Sequence, residues 1–160
     1  MKLICPALFS ETYLPARCMH PDVPGGHNIS PPLLWGEIPA GTASLVLTMT
    51  DLDGPAPDYV LWFIANIPPS ARALAEKASA DRHFLPPGTV EYRNALGELR
   101  YSGPVVPRGG DEHRIEFRLW ALELPRLMAG PFAAHAERAA ALARAALDSA
   151  VLLARATRSS

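Results

Sequence analysis

Two acidic residues and one histidine of this chain have the chemistry of a small polar site. Asp51 and Asp53 flank Leu52 in a segment that ends in Gly54-Pro55, and His113 opens a later segment of alternating polarity. A carboxylate can hold an imidazole or accept hydrogen bonds from a ligand, and an imidazole can donate to an anion or transfer a proton near neutral pH. If the fold brings Asp51 and His113 together at strand ends, they would form a polar patch in an apolar pocket, as ligand sites usually do.

The residues alone leave the role of each group open. An aspartate beside Gly-Pro often braces a turn, so Asp51 could be a ligand contact or a brace. Asp53 fits the brace better, and it would fix the turn around Gly54-Pro55, a bond for which the cis isomer costs little. A lone histidine such as His113 is more often structural than functional. The loop from Gly103 to Gly110 could cradle an anion with its backbone amides or could simply be a rigid connection.

Three segments have the pattern of the strands that would position these groups. Residues Ser44 to Thr50 and Tyr59 to Ile67 are rich in β-branched and aromatic residues and are bounded by turn formers. The second is almost wholly apolar, which predicts a central strand. Arg114 to Leu122 alternates between apolar and polar residues, which predicts a strand with one face in water. Ser70 to Ala80 is rich in alanine and predicts a short helix or an ordered loop.

The last part of the chain has a different pattern. From Pro131 onward, alanine and leucine recur at helical spacing, and both are good helix formers. The pattern predicts a C-terminal helical segment at about 131–157, with a break near Asp148 as an option. Its alanine-rich face would allow close packing on the chain's own sheet or on a second subunit, and the first of these is preferred.

Composition limits the classes of function. A length of 160 residues predicts one domain spanning 1–160, and 49% hydrophobic with 19% charged residues is typical of a folded globular protein. A net charge of -1 gives no general attraction to nucleic acid. No uncharged apolar stretch approaches the roughly 20 residues that cross a bilayer, so we expect no stable membrane insertion. The apolar run interrupted by Pro6 is too short for a signal peptide, which predicts a cytoplasmic location.

The usual motifs of metal, nucleotide and hydrolase chemistry are missing from the sequence. The five histidines form no zinc-type spacing with cysteine or carboxylate, and Cys5 and Cys18 are interpreted as two reduced thiols. There is no Gly-x-Ser-x-Gly elbow, no phosphate-binding loop and no dinucleotide fingerprint. The sequence therefore predicts neither a metal nor a cofactor.

Four blocks between about Leu14 and Leu122 resemble the phosphatidylethanolamine-binding protein family, whose members are also called Raf kinase inhibitor-like proteins. The second block, Asp51 to Pro55, resembles the family's Asp-Pro-Asp-Ala-Pro signature, with Leu52 and Gly54 as departures. The third block, Trp62 to Pro68, is similar to a family strand that ends in Asn-Ile-Pro. The blocks are Asn28 to Leu33 with Trp35, Asp51 to Pro55, Trp62 to Pro68, and Arg93-Asn94 with Gly97, Tyr101, Gly103-Pro104 and His113-Arg114.

The resemblance implies an all-β protein, an antiparallel β-sandwich with Greek-key connections and a C-terminal helix. It also implies a small-ligand binding protein for an anionic or amphipathic molecule. Such proteins are often modulators of a kinase or a protease, and bacterial relatives are often homodimers, but no residue identifies a protein partner. With the resemblance, Asp53 and Pro55 are assigned to the turn and the following residues to ligand binding: Asp51, Leu61, Trp62, Tyr101, Gly103, Pro104, His113 and Ile115. Trp62 and Tyr101 are candidates for the apolar wall, although such aromatic residues are more often simply core.

Two substitutions alter what the resemblance implies. Leu61 replaces a histidine that faces the anion pocket in the family, and Ile115 replaces a tyrosine that usually follows the His-Arg pair. A charged head group would lose donors, so phosphate-type ligands should bind more weakly than in typical relatives. The more apolar pocket also suits a rival hypothesis, in which Asp51 and His113 act as an acid-base pair that cyclises or isomerises a hydrophobic metabolite. A purely structural or interaction role is the third alternative.

Overall fold

Asp51 and His113 lie at the same end of a five-stranded antiparallel sheet, and Asp53 follows in the turn after Asp51. The computed structural model describes residues 1–158. The sheet has the order β6-β4-β3-β7-β8, and a smaller antiparallel sheet has the order β1-β2-β5. In chain order the strands are β1 (Lys2–Ile4), β2 (Leu33–Gly36), β3 (Ser44–Asp51), β4 (Tyr59–Ile67), β5 (Ala73–Leu74), β6 (Val90–Glu91), β7 (His113–Leu122) and β8 (Ala146–Ala156).

The connections of the large sheet form a Greek key. Strands β3 and β4 are neighbours, β6 lies beside β4, and the chain then returns so that β7 pairs with the free side of β3. The spatial order of these four strands is the one that defines the motif. The expected all-β architecture, with antiparallel sheets and a C-terminal helix, is therefore confirmed.

The two faces of the large sheet bury different cores. The inner face packs on the small sheet through residues such as Leu47, Phe117 and Leu119, all fully buried. The outer face packs on the α-helix α1 (His135–Ala145) through Phe63 and Leu142. Alternation along each strand divides the side chains between the two cores.

The predicted strand bounds agree closely with the structure. Strand β4 has the predicted bounds, and β3 and β7 are each one residue longer than predicted, ending at Asp51 and starting at His113. Strand β4 is interior as predicted, with β3 on one side and the two-residue β6 on the other, and β3 is the middle strand of the five. The alanine-rich stretch from Ser70 to Ala80 contains the short strand β5 and turns instead of a helix.

The predicted helical extent of 131–157 is wrong in its second half. The helix ends at Ala145, and residues 146–156 form β8, which pairs with β7 from His113↔Ala156 to Leu122↔Ala146. In this segment Ala150, Ala154 and Ala156 are buried while Val151 and Leu153 are exposed, which is the two-residue period of a strand. The ladder with β7 outweighs the helical preference of alanine and leucine, which is only a weak determinant. Within residues 1–158, no helix is both long enough and apolar enough to span a membrane.

Candidate functional site

Asp51 and His113 are in direct contact at the end of the β3–β7 ladder. Asp51 is the last residue of β3 and pairs in register with Ile115, two residues after His113. Residues two apart on a strand share a face, so His113 lies diagonally across from Asp51 on the inner face. Its Nδ1 is 2.8 Å from Asp51 Oδ2, and the side chains of His113 and Asp51 are 11% and 2% exposed. The structure thus brings together the two groups singled out in the sequence.

The Asp51 carboxylate also braces the turn that follows it. Its Oδ1 accepts a hydrogen bond of 3.0 Å from the backbone N–H of Asp53. Each oxygen of the Asp51 carboxylate therefore has a partner, and the two contacts fix the orientation of the carboxylate. With Nδ1 of His113 on the carboxylate, Nε2 is the ring nitrogen that remains for a ligand. It can accept a hydrogen bond in the neutral ring and donate one in the protonated ring.

Asp53 is held by Arg114 in a separate ion pair. Its carboxylate accepts from the Arg114 backbone N–H at 2.8 Å and from Nε and Nη2 of the same residue at 3.1 and 2.9 Å. These bonds to the Arg114 guanidinium and backbone hold the pKa of Asp53 well below its ordinary value. The pair ties the turn to the start of β7, and the Gly54-Pro55 bond within that turn is trans.

A cavity of about 270 Å³ opens beside the Asp51–His113 pair. Four of the residues assigned to ligand binding line it: Asp51, Leu61, Gly103 and His113. The two turn residues Asp53 and Pro55 also reach its wall. The cavity is polar at the carboxylate–imidazole end and apolar over most of the remaining wall.

Four more lining residues were not singled out as ligand contacts: Tyr59 and Leu96, and Val105 and Pro107 within the 103–110 loop. Tyr59 pairs in register with Asp51, so a correct pairing of β3 and β4 would have found it. Leu96 and Val105 lie in irregular segments, where no periodicity marks the orientation of a side chain. They are 39% and 40% exposed, large for apolar side chains, and they give the cavity an apolar rim.

Trp62, Tyr101, Pro104 and Ile115 lie outside the cavity lining. Trp62 and Tyr101 are fully buried and pack edge to face, with ring centroids 5.4 Å apart. Their polar atoms bond inside the protein, Trp62 Nε1 to Glu91 at 2.9 Å and the Tyr101 hydroxyl to the Cys18 carbonyl at 2.6 Å. These bonds fix both aromatic rings as part of the core behind the cavity.

The other two residues outside the lining also belong to the interior. Ile115 is fully buried in the inner core. Pro104 is buried as well, and its carbonyl accepts from the His20 N–H at 3.1 Å. Ile115 and Pro104 therefore pack behind the wall of the cavity and do not line it.

Gly103 allows two backbone segments to touch. A Cβ at this position would overlap backbone atoms of Cys18, Met19 and His20. The Gly103 N–H donates to the Asn28 side chain at 2.7 Å, so this amide has no capacity left for an anion. At Gly103 itself, the arrangement therefore fits a rigid connection and not an amide cradle.

Comparison with known proteins places this arrangement in a family. The model of the phosphatidylethanolamine-binding protein family matches residues 6–157, nearly the whole chain. The chain belongs to the phosphatidylethanolamine-binding protein family. The crystal structure of Escherichia coli YbcL, described as a new member of the mammalian family, superposes with a TM-score of 0.89 at 25% identity, covering 99% of this chain and 98% of YbcL.

Two sequence relatives show how far the likeness extends. The UPF0098 protein YbhB of Escherichia coli is 34% identical over 129 residues, 79% of this chain and 81% of YbhB. A UPF0098 protein of Methanothermobacter thermautotrophicus is 44% identical over 98 residues, 61% of this chain and 63% of that relative, which is less than two thirds of its length. A third relative, 35% identical over 127 residues, 76% of this chain and 59% of the relative, carries the name "putative lipoprotein LppC" in Mycobacterium tuberculosis, so the cytoplasmic location stays a prediction.

This member of the phosphatidylethanolamine-binding protein family has no evident metal centre in the part of the chain that the structure describes. Among residues 1–158, no group of three His, Cys, Asp or Glu side chains could hold a metal ion. The chemistry of the cavity rests on the Asp51–His113 pair and on the apolar wall beside it. That pair can hold a polar head group or move a proton.

Proposed function

We propose that this family member binds a small amphipathic molecule with an anionic head group in the cavity beside Asp51 and His113. The observation that carries the proposal is the 2.8 Å contact between the two side chains at one end of a cavity with an otherwise apolar wall. The head group would accept from Nε2 of protonated His113, whose charge Asp51 balances. The apolar part would lie against Leu61, Leu96 and Val105.

The apolar wall supports an amphipathic ligand over a free anion. Leu61 offers no hydrogen bond where the family commonly has a histidine, so a phosphate has one donor fewer in this cavity. Contact with an alkyl chain can offset that loss, because each buried methylene is worth about 0.8 kcal/mol. Three methylenes buried against the wall would then raise affinity by about 50-fold.

The test compares inorganic phosphate with hexyl phosphate by titration calorimetry. Hexyl phosphate should bind at least tenfold more tightly, because its alkyl chain would lie against the apolar wall. His113→Ala should remove the binding of both, while His83→Ala, a change at an exposed histidine outside the cavity, should have no effect. Leu61→His should strengthen the binding of phosphate itself. Equal affinities for the two compounds, or unchanged binding by His113→Ala, would contradict the proposal.

Acid-base catalysis is a second candidate, and the nearly complete burial of Asp51 favours it. A carboxylate that is 2% exposed and bonded to Nδ1 fixes the ring so that Nε2 can take a proton from an apolar substrate. The reaction class would be a cyclisation or an isomerisation. Chromatography of hydrophobic metabolites incubated with the protein should then show a changed product, which Asp51→Asn abolishes while circular dichroism shows that the variant is folded. Binding without chemical change under these conditions rejects this candidate.

Modulation of a kinase or a protease and the formation of a homodimer remain predictions that rest on the family resemblance. Neither is needed for the ligand proposal. The calorimetric test uses the purified chain alone, so its outcome does not depend on a protein partner.

A further inference from the structure

Tyr59 brings an unused hydroxyl to the cavity beside Asp51. It lines that cavity, and its hydroxyl makes no hydrogen bond with any group of residues 1–158. The other three tyrosine hydroxyls each donate to an oxygen of the chain, Tyr13 to Glu112 at 3.1 Å, Tyr101 to the Cys18 carbonyl at 2.6 Å and Tyr92 to the Ala129 carbonyl. The Tyr59 hydroxyl is therefore free to donate to a bound molecule.

The Tyr59 hydroxyl can be reached from the solvent. The residue as a whole is half-buried. Within residues 1–158, the buried side-chain nitrogen and oxygen atoms that lack a partner are Thr89 Oγ1 and Trp120 Nε1, and the Tyr59 hydroxyl is not one of them. A hydroxyl that has no partner and is not buried has accessible surface. An acceptor atom in the cavity can therefore approach it.

Gly54 allows the Tyr59 ring to lie against the turn at the polar end of the cavity. A Cβ at residue 54 would lie 2.9 Å from Tyr59 Cδ2 and 3.0 Å from its Cβ and Cγ, too close for an ordinary contact. Asp51 and Asp53, in and before the same turn, also line the cavity. Gly54 is one of the two departures from the family signature, and the methyl group of an alanine at this position would displace the ring.

Tyr59 and His113 flank Asp51 on the inner face of the large sheet. Strand β3 lies between β4 and β7, and Asp51 pairs in register with Tyr59 of β4 and with Ile115 of β7, two residues after His113. Neighbouring strands are about 4.8 Å apart, so β4 and β7 are separated by about 10 Å. The two side chains thus line one cavity from opposite sides of the carboxylate.

The lining offers two side-chain donors to a head group. Among the lining residues, Tyr59 and His113 are the ones whose side chains can donate, and the hydroxyl donates whatever the protonation state of the imidazole. Each lining carboxylate has a partner of its own, His113 for Asp51 and Arg114 for Asp53. An oxyanion carries several acceptor oxygens, so it can accept from both donors at once.

We propose that the Tyr59 hydroxyl is the second donor of the ligand site and that, together with His113, it selects a head group with at least two acceptor oxygens, such as a phosphate monoester. One oxygen accepts from Nε2 of His113 and another from the Tyr59 hydroxyl, and the alkyl chain extends toward Leu96 and Val105. This inference rests on the function proposed above and names the residue that gives the site its head-group specificity.

The first test measures the binding of hexyl phosphate and inorganic phosphate to Tyr59→Phe by titration calorimetry. The variant keeps the ring and removes the donor, so both ligands should bind about tenfold more weakly. The factor should be the same for both, because both carry the head group. Tyr13→Phe removes a hydroxyl outside the cavity and should leave both affinities within twofold of the wild type.

Gly54→Ala tests whether the position of the ring matters through the hydroxyl. The added methyl should displace the ring and weaken hexyl phosphate binding at least threefold in the wild-type background. In the Tyr59→Phe background, where there is no donor left to displace, the same change should have an effect of less than twofold. An equal factor in both backgrounds would mean that Gly54→Ala damages the cavity in general, and it would overturn the coupling.

The unaltered chain provides an independent measurement. N-acetylimidazole acetylates accessible tyrosine hydroxyls, and mass spectrometry locates the product. Hexyl phosphate should slow the acetylation of Tyr59 and leave that of Tyr13 unchanged. A Tyr59 that is not acetylated in the free chain, or that is acetylated equally fast with the ligand present, rejects the contact.

The outcomes separate this inference from the function on which it rests. Circular dichroism establishes that each variant is folded. No binding of hexyl phosphate to the wild type would reject the proposed function and the role of Tyr59 together. Binding to the wild type that Tyr59→Phe leaves within twofold would reject the role of Tyr59 alone. A loss confined to hexyl phosphate would show that residue 59 acts on the alkyl chain, and it would equally reject the donor role.

Discussion

The close approach of the Gly103 backbone to residues 18–20 predicts a large effect for the smallest possible substitution. In Gly103→Ala the added methyl would overlap backbone atoms of Cys18, Met19 and His20. Backbone atoms of two buried segments cannot move aside as a flexible side chain would. The chain must therefore separate the loop that lines the cavity at Asp51 from the segment beside it.

The magnitude follows from what that separation breaks. Overpacking of a buried site costs about 1–3 kcal/mol. Separation also stretches the bond from Gly103 N–H to Asn28 at 2.7 Å and the bond from His20 N–H to the Pro104 carbonyl at 3.1 Å, each worth about 1 kcal/mol. We expect Gly103→Ala to lower the free energy of unfolding by about 3–5 kcal/mol. This is a large part of the roughly 5–15 kcal/mol that stabilises a typical domain.

Equilibrium unfolding in urea measures the effect. The midpoint should fall by about 2 M, given the usual slope of about 1–3 kcal/mol per molar urea. Gly130→Ala is the matched control, because a Cβ there meets no atom within 4 Å and its backbone is outside the left-handed region. The control should change stability by less than about 0.5 kcal/mol. A Gly103→Ala protein within about 1 kcal/mol of the wild type would refute the reasoning, as would an equal loss in both variants.

Three further predictions concern titration, burial and reactivity. Because Arg114 lowers the pKa of Asp53, this carboxylate stabilises the folded chain above the ordinary aspartate pKa of 3.8, and the contribution is lost as the pH falls below that value. Asp53→Asn should therefore flatten the decline of the urea midpoint measured from pH 4 to pH 2. Arg138→Met leaves three carbonyls without their donor and should lower the free energy of unfolding by about 3 kcal/mol or more, against less than about 0.5 kcal/mol for the exposed Arg144→Met. Burial raises the pKa of the Cys18 thiol to about 12, so a disulfide reagent at pH 8 should leave Cys18 unmodified in the native chain and modify it in urea.

The strands that could be predicted from the sequence are those whose own residues show a strand-like composition or alternation. Strands β3, β4 and β7 have eight, nine and ten residues, and each contains enough branched, aromatic or alternating residues to be recognised. Strands β1, β5 and β6 have only two or three residues, too few for any period to show. Strand β8 was predicted as helix because alanine and leucine favour helices, and only its ladder with β7 makes it a strand.

The part of the candidate site that could be predicted consists of the side chains at strand ends. Asp51 and His113 converge because of the register in which β3 pairs with β7. The residues alone do not give that register, and the convergence was expected from the family resemblance. Trp62 and Tyr101 were assigned to the cavity wall because a large aromatic residue near a motif can serve as wall or as core. Their side-chain hydrogen bonds, which depend on distant residues, place them in the core.

The two departures from the family pattern have unequal consequences for a ligand. Leu61 lines the cavity, so the imidazole that the family resemblance implies at this position would have placed a donor directly in the space proposed for the ligand. Ile115 is fully buried and lies outside the lining, so its alkyl side chain acts on the ligand only through the packing behind Asp51, its partner in register. Affinity for a free anion should therefore depend mainly on residue 61. Leu61 is only 1% exposed, whereas Leu96 and Val105 are 39% and 40% exposed, so the apolar surface for an alkyl chain comes from the rim and the loss of a donor comes from position 61.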